Sequence, residues 1–175
     1  MGTAQPRIGV LVHDDYQEIE FWYPVLRFRE GGATITVIGA EADHEYLSKL
    51  GYPVIPEKAI GEVSAADFDA LVVPGGGAAD RIAANAAMVR LIEQAAAKGA
   101  TIGAVSRAPK ILGAAALRGK RATGAREIAK DLTAGGATYV DEAVVVDGTL
   151  ITARAADDMP ALCRALAAAL GVKST

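Results

Sequence analysis

Short, almost wholly apolar segments alternate along the chain with longer segments of helical periodicity, and this alternation restricts the possible folds most strongly. The apolar segments are rich in branched side chains, which is typical of strands buried on both faces of a parallel sheet. The predicted strands are residues 7–12, 34–39, 70–73 and 101–105. The predicted helices are residues 18–30, 80–84, 87–98, 109–116, 127–134 and 155–170. Because strands that alternate with helices pair in parallel, we expect an α/β fold with a doubly wound sheet.

The remaining segments predict smaller elements beside this sheet. Asp147-Gly148 separates two apolar runs, 143–146 and 149–152, and this dipeptide is a strong hairpin signal. Residues 48–56 contain prolines and a glycine, which favour either an irregular segment or a small edge hairpin. The sequence shows no internal repeat and no linker, so we expect a single domain over residues 1–175 with a core of about 7–171.

The composition excludes several functional classes. Hydrophobic residues make up 51% of the chain and charged residues 22%, which is typical of a folded globular protein. A net charge of −3 without a basic cluster argues against nucleic acid and membrane as partners, and no apolar run is long enough to cross a bilayer. One cysteine and two histidines exclude an internal disulfide and argue against a structural zinc site. The polar first residues lack the core of a signal peptide, so we expect a cytoplasmic protein. The sequence contains no signal for a metal or an organic cofactor, and we expect neither.

Three predicted loops follow strands that end at one edge of the sheet, where folds of this type bind ligands. These loops are residues 13–20, 75–80 and 106–110. Ser106 directly follows a strand and precedes a helix, which is the arrangement of a nucleophile elbow, although the hydrolase motif Gly-x-Ser-x-Gly is absent. The alternative is that Ser106 caps the helix, because serine is favoured at that position.

The other two loops carry further candidate residues. Gly75 and Gly76 allow backbone amides to approach an anion, or they form only a tight turn. Glu20 lies in the first turns of a helix, where it is either a buried carboxyl that transfers a proton or a solvated surface carboxylate. His13 follows the first strand and is predicted to point into the same crevice, but isolated histidines are often structural. We interpret Cys163 as a small core residue.

Five motifs together resemble a known family. They are residues 14–24 (DDYQEIEFWYP), 68–76 (FDALVVPGG), 104–109 (AVSRAP), 144–148 (VVVDG) and 151–154 (ITAR). As a set they resemble the DJ-1/PfpI superfamily, relatives of the class I glutamine amidotransferases, and are most similar to its PfpI-like branch. The resemblance covers residues 7–170 and implies a flavodoxin-like three-layer sandwich, a small-molecule substrate or ligand, and a homodimer or homohexamer.

The resemblance also implies roles for individual residues, and the chain departs from the family at two of them. The family's elbow normally reads Ala-x-Cys-His-Gly/Ala-Pro, whereas this chain has Ser106 at the cysteine position and Arg107 at the histidine position. Asp80 matches an acidic residue that completes a triad across a subunit interface, and Glu20 matches the family's buried glutamate. A serine hydroxyl needs a general base, and Arg107 stays protonated, so Glu20 and His13 are the remaining candidates for that base.

Three functional hypotheses follow from this set of residues. In the first, the protein is an enzyme of hydrolase, hydratase, lyase or isomerase type that acts on a small carbonyl-like or anionic molecule. Arg107 and the amides of the glycine loop then hold the substrate, Glu20 transfers a proton with or without His13, and Ser106 is a weak nucleophile or a hydrogen-bond donor.

In the second hypothesis, the protein is a stress-linked or small-molecule-binding module without catalysis. Its site is closed by an ion pair between Arg107 and Asp80 of a neighbouring subunit. In the third, Ser106 replaces the cysteine of a cysteine-dependent amidase, glyoxalase or isocyanide hydratase.

Overall fold

The computed structural model describes residues 5–173, so residues 1–4 and 174–175 of the predicted domain, including most of its polar leading segment, lie outside the described part. The strands are β1 (Arg7–Leu11), β2 (Thr34–Gly39), β3 (Tyr46–Leu47), β4 (Pro53–Val54), β5 (Lys58–Ala59), β6 (Ala70–Val73), β7 (Thr101–Val105), β8 (Arg121–Ala122), β9 (Thr138–Tyr139), β10 (Val144–Asp147) and β11 (Leu150–Ala153). The α-helices are α1 (Glu18–Glu30), α2 (Ala78–Ala84), α3 (Ala86–Ala97), α4 (Gly113–Leu117), α5 (Ala129–Ala134) and α6 (Met159–Leu170).

The central sheet of the described chain contains seven strands in the order β10-β11-β7-β6-β1-β2-β5. All of its neighbours pair in parallel except β10 and β11, which form the predicted hairpin. The chain adds strands on one side of β1 first, then crosses over and adds β6, β7 and β11 on the other side. The order of the strands therefore reverses between β1 and β6, and sheets of this kind bind ligands beyond the carboxyl ends of the strands at such a point.

Helices cover both faces of the sheet and bury the strands between them. On one face, α1 and α6 pack against each other, with α6 against β7 and β11; on the other, α3 packs against β6 and β7. The strand side chains are buried on both sides: every residue of β6 and β7 is buried, and Val10 and Leu71 have no exposed surface. This confirms the predicted three-layer α/β fold with a mostly parallel, doubly wound sheet. No helix among residues 5–173 is long and apolar enough to span a membrane.

Most predicted boundaries agree with the structure, and the differences have local causes. Helix 18–30 and strands 34–39, 70–73 and 101–105 have the predicted limits. The predicted helix 109–116 is divided into a 3₁₀ turn, Ala108–Ile111, and the short α4, because Gly113, the first residue of α4, adopts a positive φ of 64°.

The last two helices start later than predicted, and the segment after β2 forms a small sheet. The helix predicted from residue 127 begins at Ala129 after a 3₁₀ turn, and the helix predicted from residue 155 begins at Met159, with Pro160 in its first turn. Of the two alternatives for residues 48–56, the structure shows a small hairpin, in which β4 within this segment pairs in antiparallel fashion with β3 just before it.

Candidate active site

The three predicted loops meet at the carboxyl edge of the sheet, beside the reversal between β1 and β6. They surround an open pocket of about 480 Å³. The pocket is lined by Asp15, Gln17, Glu20, Lys49, Gly76, Gly77, Ser106 and Arg107. The fold therefore brings residues from α1, from the loop after β6 and from the turn after β7 into one cavity.

Glu20 is a buried carboxyl at the inner end of this pocket. Its position depends on the start of α1, where the Gln17 side chain accepts a hydrogen bond from the Glu20 amide at 2.9 Å. The Glu20 residue is only 3% exposed, and its Oε2 accepts a hydrogen bond of 2.8 Å from the Gly75 amide. Burial raises the pKa of Glu20 to about 7, although hydrogen bonds from Gly75 and the Ser106 side chain act to lower it. Glu20 can therefore both donate and accept a proton near neutral pH.

Ser106 lies on a sharp turn between β7 and the 3₁₀ turn that follows. Its φ is +57°, a left-handed conformation that a non-glycine residue rarely adopts. The turn is held on both sides, because the Ser106 amide donates to the Ala153 carbonyl at 2.9 Å and the Ser106 carbonyl accepts from the Ala125 amide at 2.8 Å. The helix-cap alternative does not describe this geometry, since Arg107 occupies the cap position and no side chain caps the turn. The Ser106 side chain instead lies near enough to the Glu20 carboxyl to act on its pKa.

The glycine loop after β6 packs tightly against both of these residues. A Cβ atom at Gly75 would lie 2.7 Å from Glu20 Oε2 and 2.9 Å from Ser106 Cβ, so only glycine fits there. The Gly75 amide is already bonded to Glu20 and is not free for a substrate, which differs from the predicted role of this amide. Within residues 5–173, the amides of Gly76 and Arg107 donate to no protein acceptor, and both residues line the pocket. These two amides are thus available to a bound oxygen atom.

Arg107 forms an ion pair with Asp80 of the same chain. The Arg107 Nη2 and Asp80 Oδ2 atoms are 2.7 Å apart, and Lys110 Nζ contacts the other oxygen of the same carboxylate. The hydrogen bond from Lys110 and the charges of both cations hold the pKa of Asp80 below its usual value, against a smaller effect of burial. This ion pair lies within one chain, and the role of Asp80 across a subunit interface stays a prediction.

Comparison with known proteins identifies the family. The model of the DJ-1/PfpI family matches residues 6–169. The chain belongs to the DJ-1/PfpI family. It is 33% identical to protein/nucleic acid deglycase 2 of Escherichia coli over 94% of this chain and 98% of that protein, and 34% identical to general stress protein 18 of Bacillus subtilis over 90% and 94%. A structure of a two-domain protein from Anabaena variabilis, with DJ-1/ThiJ/PfpI-like and ferritin-like domains, matches with a TM-score of 0.91 at 34% identity over 95% of this chain and 48% of that one.

Within the described part of this DJ-1/PfpI chain, His13 makes no recorded contact with Glu20 or Ser106. Its Nδ1 accepts a hydrogen bond of 2.9 Å from the Asp14 amide, and its ring packs edge-on against Tyr46, with 5.3 Å between the ring centroids. Burial lowers the pKa of His13, so the ring is neutral at physiological pH. Among the described contacts, none connects His13 to Glu20 or Ser106. Cys163 is buried in α6, as predicted, and burial raises the pKa of its thiol to about 12.

Four residues of the site were not singled out by the sequence analysis. Asp15 and Lys49 line the pocket, Gln17 caps α1 beneath Glu20, and Lys110 shares the Asp80 carboxylate. Only Gln17 had a sequence signal, because its spacing of three residues before Glu20 is that of a capping pair. No group of three or more His, Cys, Asp or Glu side chains within the described ranges is placed to hold a metal ion.

Proposed function

We propose that this DJ-1/PfpI protein is an enzyme that transfers a proton during addition to, or elimination from, a small carbonyl-like molecule, with Glu20 as the general acid and base. One observation carries the proposal: a buried carboxyl group with a pKa of about 7 lines the same open pocket as Ser106 at the elbow. General bases work best when their pKa lies near the working pH.

Hydration illustrates the proposed step with its atoms in balance. The ionised Glu20 removes a proton from a water molecule while the water oxygen forms a bond to the carbonyl carbon. The electron pair of the C=O double bond moves to the oxygen, where the free amides of Gly76 and Arg107 support the negative charge. Glu20 then returns the proton to that oxygen. Hydrolysis or an isomerase step needs the same transfer in a different order.

The residues at the elbow support an acid–base role more than covalent catalysis. A serine hydroxyl does not ionise near neutral pH and attacks only when a base removes its proton. Arg107 cannot be that base, and it is bound to Asp80. We therefore assign Ser106 as a hydrogen-bond donor that orients Glu20 and the substrate oxygen. The names of relatives, such as the E. coli deglycase, support carbonyl compounds and their adducts as the substrate class.

Turnover by Glu20 and matched variants tests the proposal. We would assay glyoxal, methylglyoxal and the adducts of methylglyoxal with free amino acids, using the wild type, Glu20→Gln and Glu30→Gln. Glu30 is an exposed residue of the same helix and is the control. We expect Glu20→Gln to lower kcat about 10²- to 10⁴-fold, as is typical when a general base is lost. Full turnover by Glu20→Gln would contradict the assignment.

A second candidate function is small-molecule binding without catalysis. It is favoured by the ion pair of Arg107 with Asp80, because the residue after Ser106 is then a permanently protonated cation that cannot act as a base. This candidate predicts that carbonyl compounds raise the melting temperature of the protein but are not converted. Conversion that depends on Glu20 would exclude it.

A further inference from the structure

The charges around the pocket are unequal, and the excess is positive. Asp80 is the single carboxylate between two cations, Arg107 and Lys110, so this cluster carries one uncompensated positive charge. Only Arg107 of the three lines the pocket, with a side chain that is 35% exposed. A guanidinium bound through one nitrogen to Asp80 has further N–H donors that can reach a second anion.

The acidic residue at the mouth of the pocket does not offset this charge. Asp15 lines the pocket but is bound by Arg81, which contacts the same Asp15 oxygen through Nε at 3.0 Å and Nη2 at 2.5 Å. This pair is neutral overall. Glu20, the other acidic residue in the lining, is largely protonated below about pH 7 and contributes at most one negative charge above it.

Lys49 supplies a second positive charge from a different part of the chain. Its amide donates to the Tyr16 carbonyl at 2.9 Å, which holds the turn after β3 against the start of α1. Glu18 fixes the same turn, because one of its oxygens accepts from the Ser48 hydroxyl at 2.5 Å and the Leu50 amide at 2.8 Å. No ion pair within 4.0 Å engages the Lys49 side chain among the described residues. The turn therefore places Lys49 at the pocket without an ion pair within 4.0 Å, and its charge is near enough to the Glu18 carboxylate to help lower the pKa of that carboxyl.

We infer that the substrate is a carbonyl compound that carries its own carboxylate or phosphate group, which Lys49 and Arg107 bind while the carbonyl carbon lies beside Glu20 and Ser106. The inference rests on the proposed function for the position of the carbonyl, and adds the anionic group. The two acidic residues of the lining offset these two cations only in part, because Asp15 is paired with Arg81 and Glu20 is largely protonated below about pH 7, so the pocket favours an anion over a neutral ligand. An arginine also binds the planar oxygens of either group in a two-point contact.

The test measures binding rather than turnover, so it can fail separately from the proposed function. Titration calorimetry in the Glu20→Gln background would compare glyoxylate, dihydroxyacetone phosphate and neutral glyoxal. Lys49→Gln and Arg107→Gln would be compared with Lys130→Gln, a control on α5 whose side chain lies on a different cavity. We expect each anion to bind more tightly than glyoxal, and Lys49→Gln to weaken it about fivefold, the upper range for one exposed charge contact.

The outcomes are distinct. Anion binding that both Lys49→Gln and Arg107→Gln weaken, and that Lys130→Gln leaves unchanged, supports the inference, and the tighter of the two anions identifies the group. Equal affinity for glyoxal, or equal anion affinity in all three variants, overturns it. If the Glu20→Gln protein does not fold, the shift in melting temperature of the wild type with each compound gives the same comparison. Loss of turnover in Glu20→Gln together with absent anion binding would leave the proposed function standing and remove only this inference.

Discussion

Replacement of Glu20 by glutamine should change how the stability of the protein depends on pH. The pKa of the buried carboxyl is about 7 in the folded chain, against an ordinary value of 4.5, because burial disfavours its charge. The folded state therefore holds its proton more tightly than the unfolded state. The stabilisation by this proton is fully present below pH 4.5 and is lost as the pH rises through 7. At about 1.4 kcal/mol per pH unit, the loss between pH 4.5 and pH 8 approaches 3 kcal/mol.

Urea unfolding at pH 4.5, 6 and 8 measures this effect. Glutamine cannot ionise, so the free energy of unfolding of Glu20→Gln, relative to the wild type, should improve by about 3 kcal/mol over that range. Glu30→Gln removes an exposed carboxyl from the same helix, and its free energy of unfolding should change with pH in the same way as that of the wild type. A constant difference between the wild type and Glu20→Gln at all three pH values would show that Glu20 is not held protonated by burial, and the acid–base assignment would lose its basis.

Three further results are expected from the same geometry. The value of kcat/KM with a carbonyl substrate should rise with an inflection near pH 7, where Glu20 ionises. Measurement of turnover against pH in the wild type and in Glu20→Gln tests this, because the inflection should be absent only from the variant. Gly75→Ala should destabilise the protein by about 1–3 kcal/mol in thermal unfolding, because its Cβ meets Glu20 and Ser106 below 3 Å, whereas Gly61→Ala, with nothing within 4 Å, should not. The variant Ser106→Cys should react with iodoacetamide at pH 8. The wild type should not react, because its cysteine, Cys163, is buried with a pKa of about 12. Mass spectrometry that identifies the labelled residue tests both expectations.

The fold could be predicted well from the sequence because its signals are local. A strand buried on both faces must be apolar throughout, and residues 70–73 and 101–105 show this without ambiguity. The first residues of the later helices were harder to predict from the sequence. The start of α4 at Gly113 goes with a positive φ at that residue, which is set by the packing around it and not by helical periodicity.

The sequence analysis selected Glu20, Ser106 and Arg107, which line the pocket, but it did not predict the contacts between them or the presence of Lys49. Position at a strand end sufficed to select Glu20 and Ser106, since the carboxyl edge of a parallel sheet gathers such residues. The position of a residue in the sequence could not show that the Gly75 amide donates a hydrogen bond to Glu20, or that Asp80 forms an ion pair with Arg107 of the same chain. Those facts depend on side-chain directions across three loops, and no spacing in the sequence encodes a contact between elements so far apart.

The strain at Ser106 and the proton at Glu20 depend on the same tight packing. The left-handed turn at Ser106 directs its side chain toward the Glu20 carboxyl and costs about 1–2 kcal/mol for a non-glycine residue. The backbone bonds of the turn to Ala153 and Ala125 hold it in place against that cost. Because Gly75 has no side chain, the Glu20 carboxyl and the Ser106 Cβ can both lie close to its backbone, and Glu20 is only 3% exposed there. Burial raises the pKa of Glu20 against the opposing effects of Gly75 and Ser106, so a change that exposes the carboxyl to solvent should return that pKa toward its ordinary value.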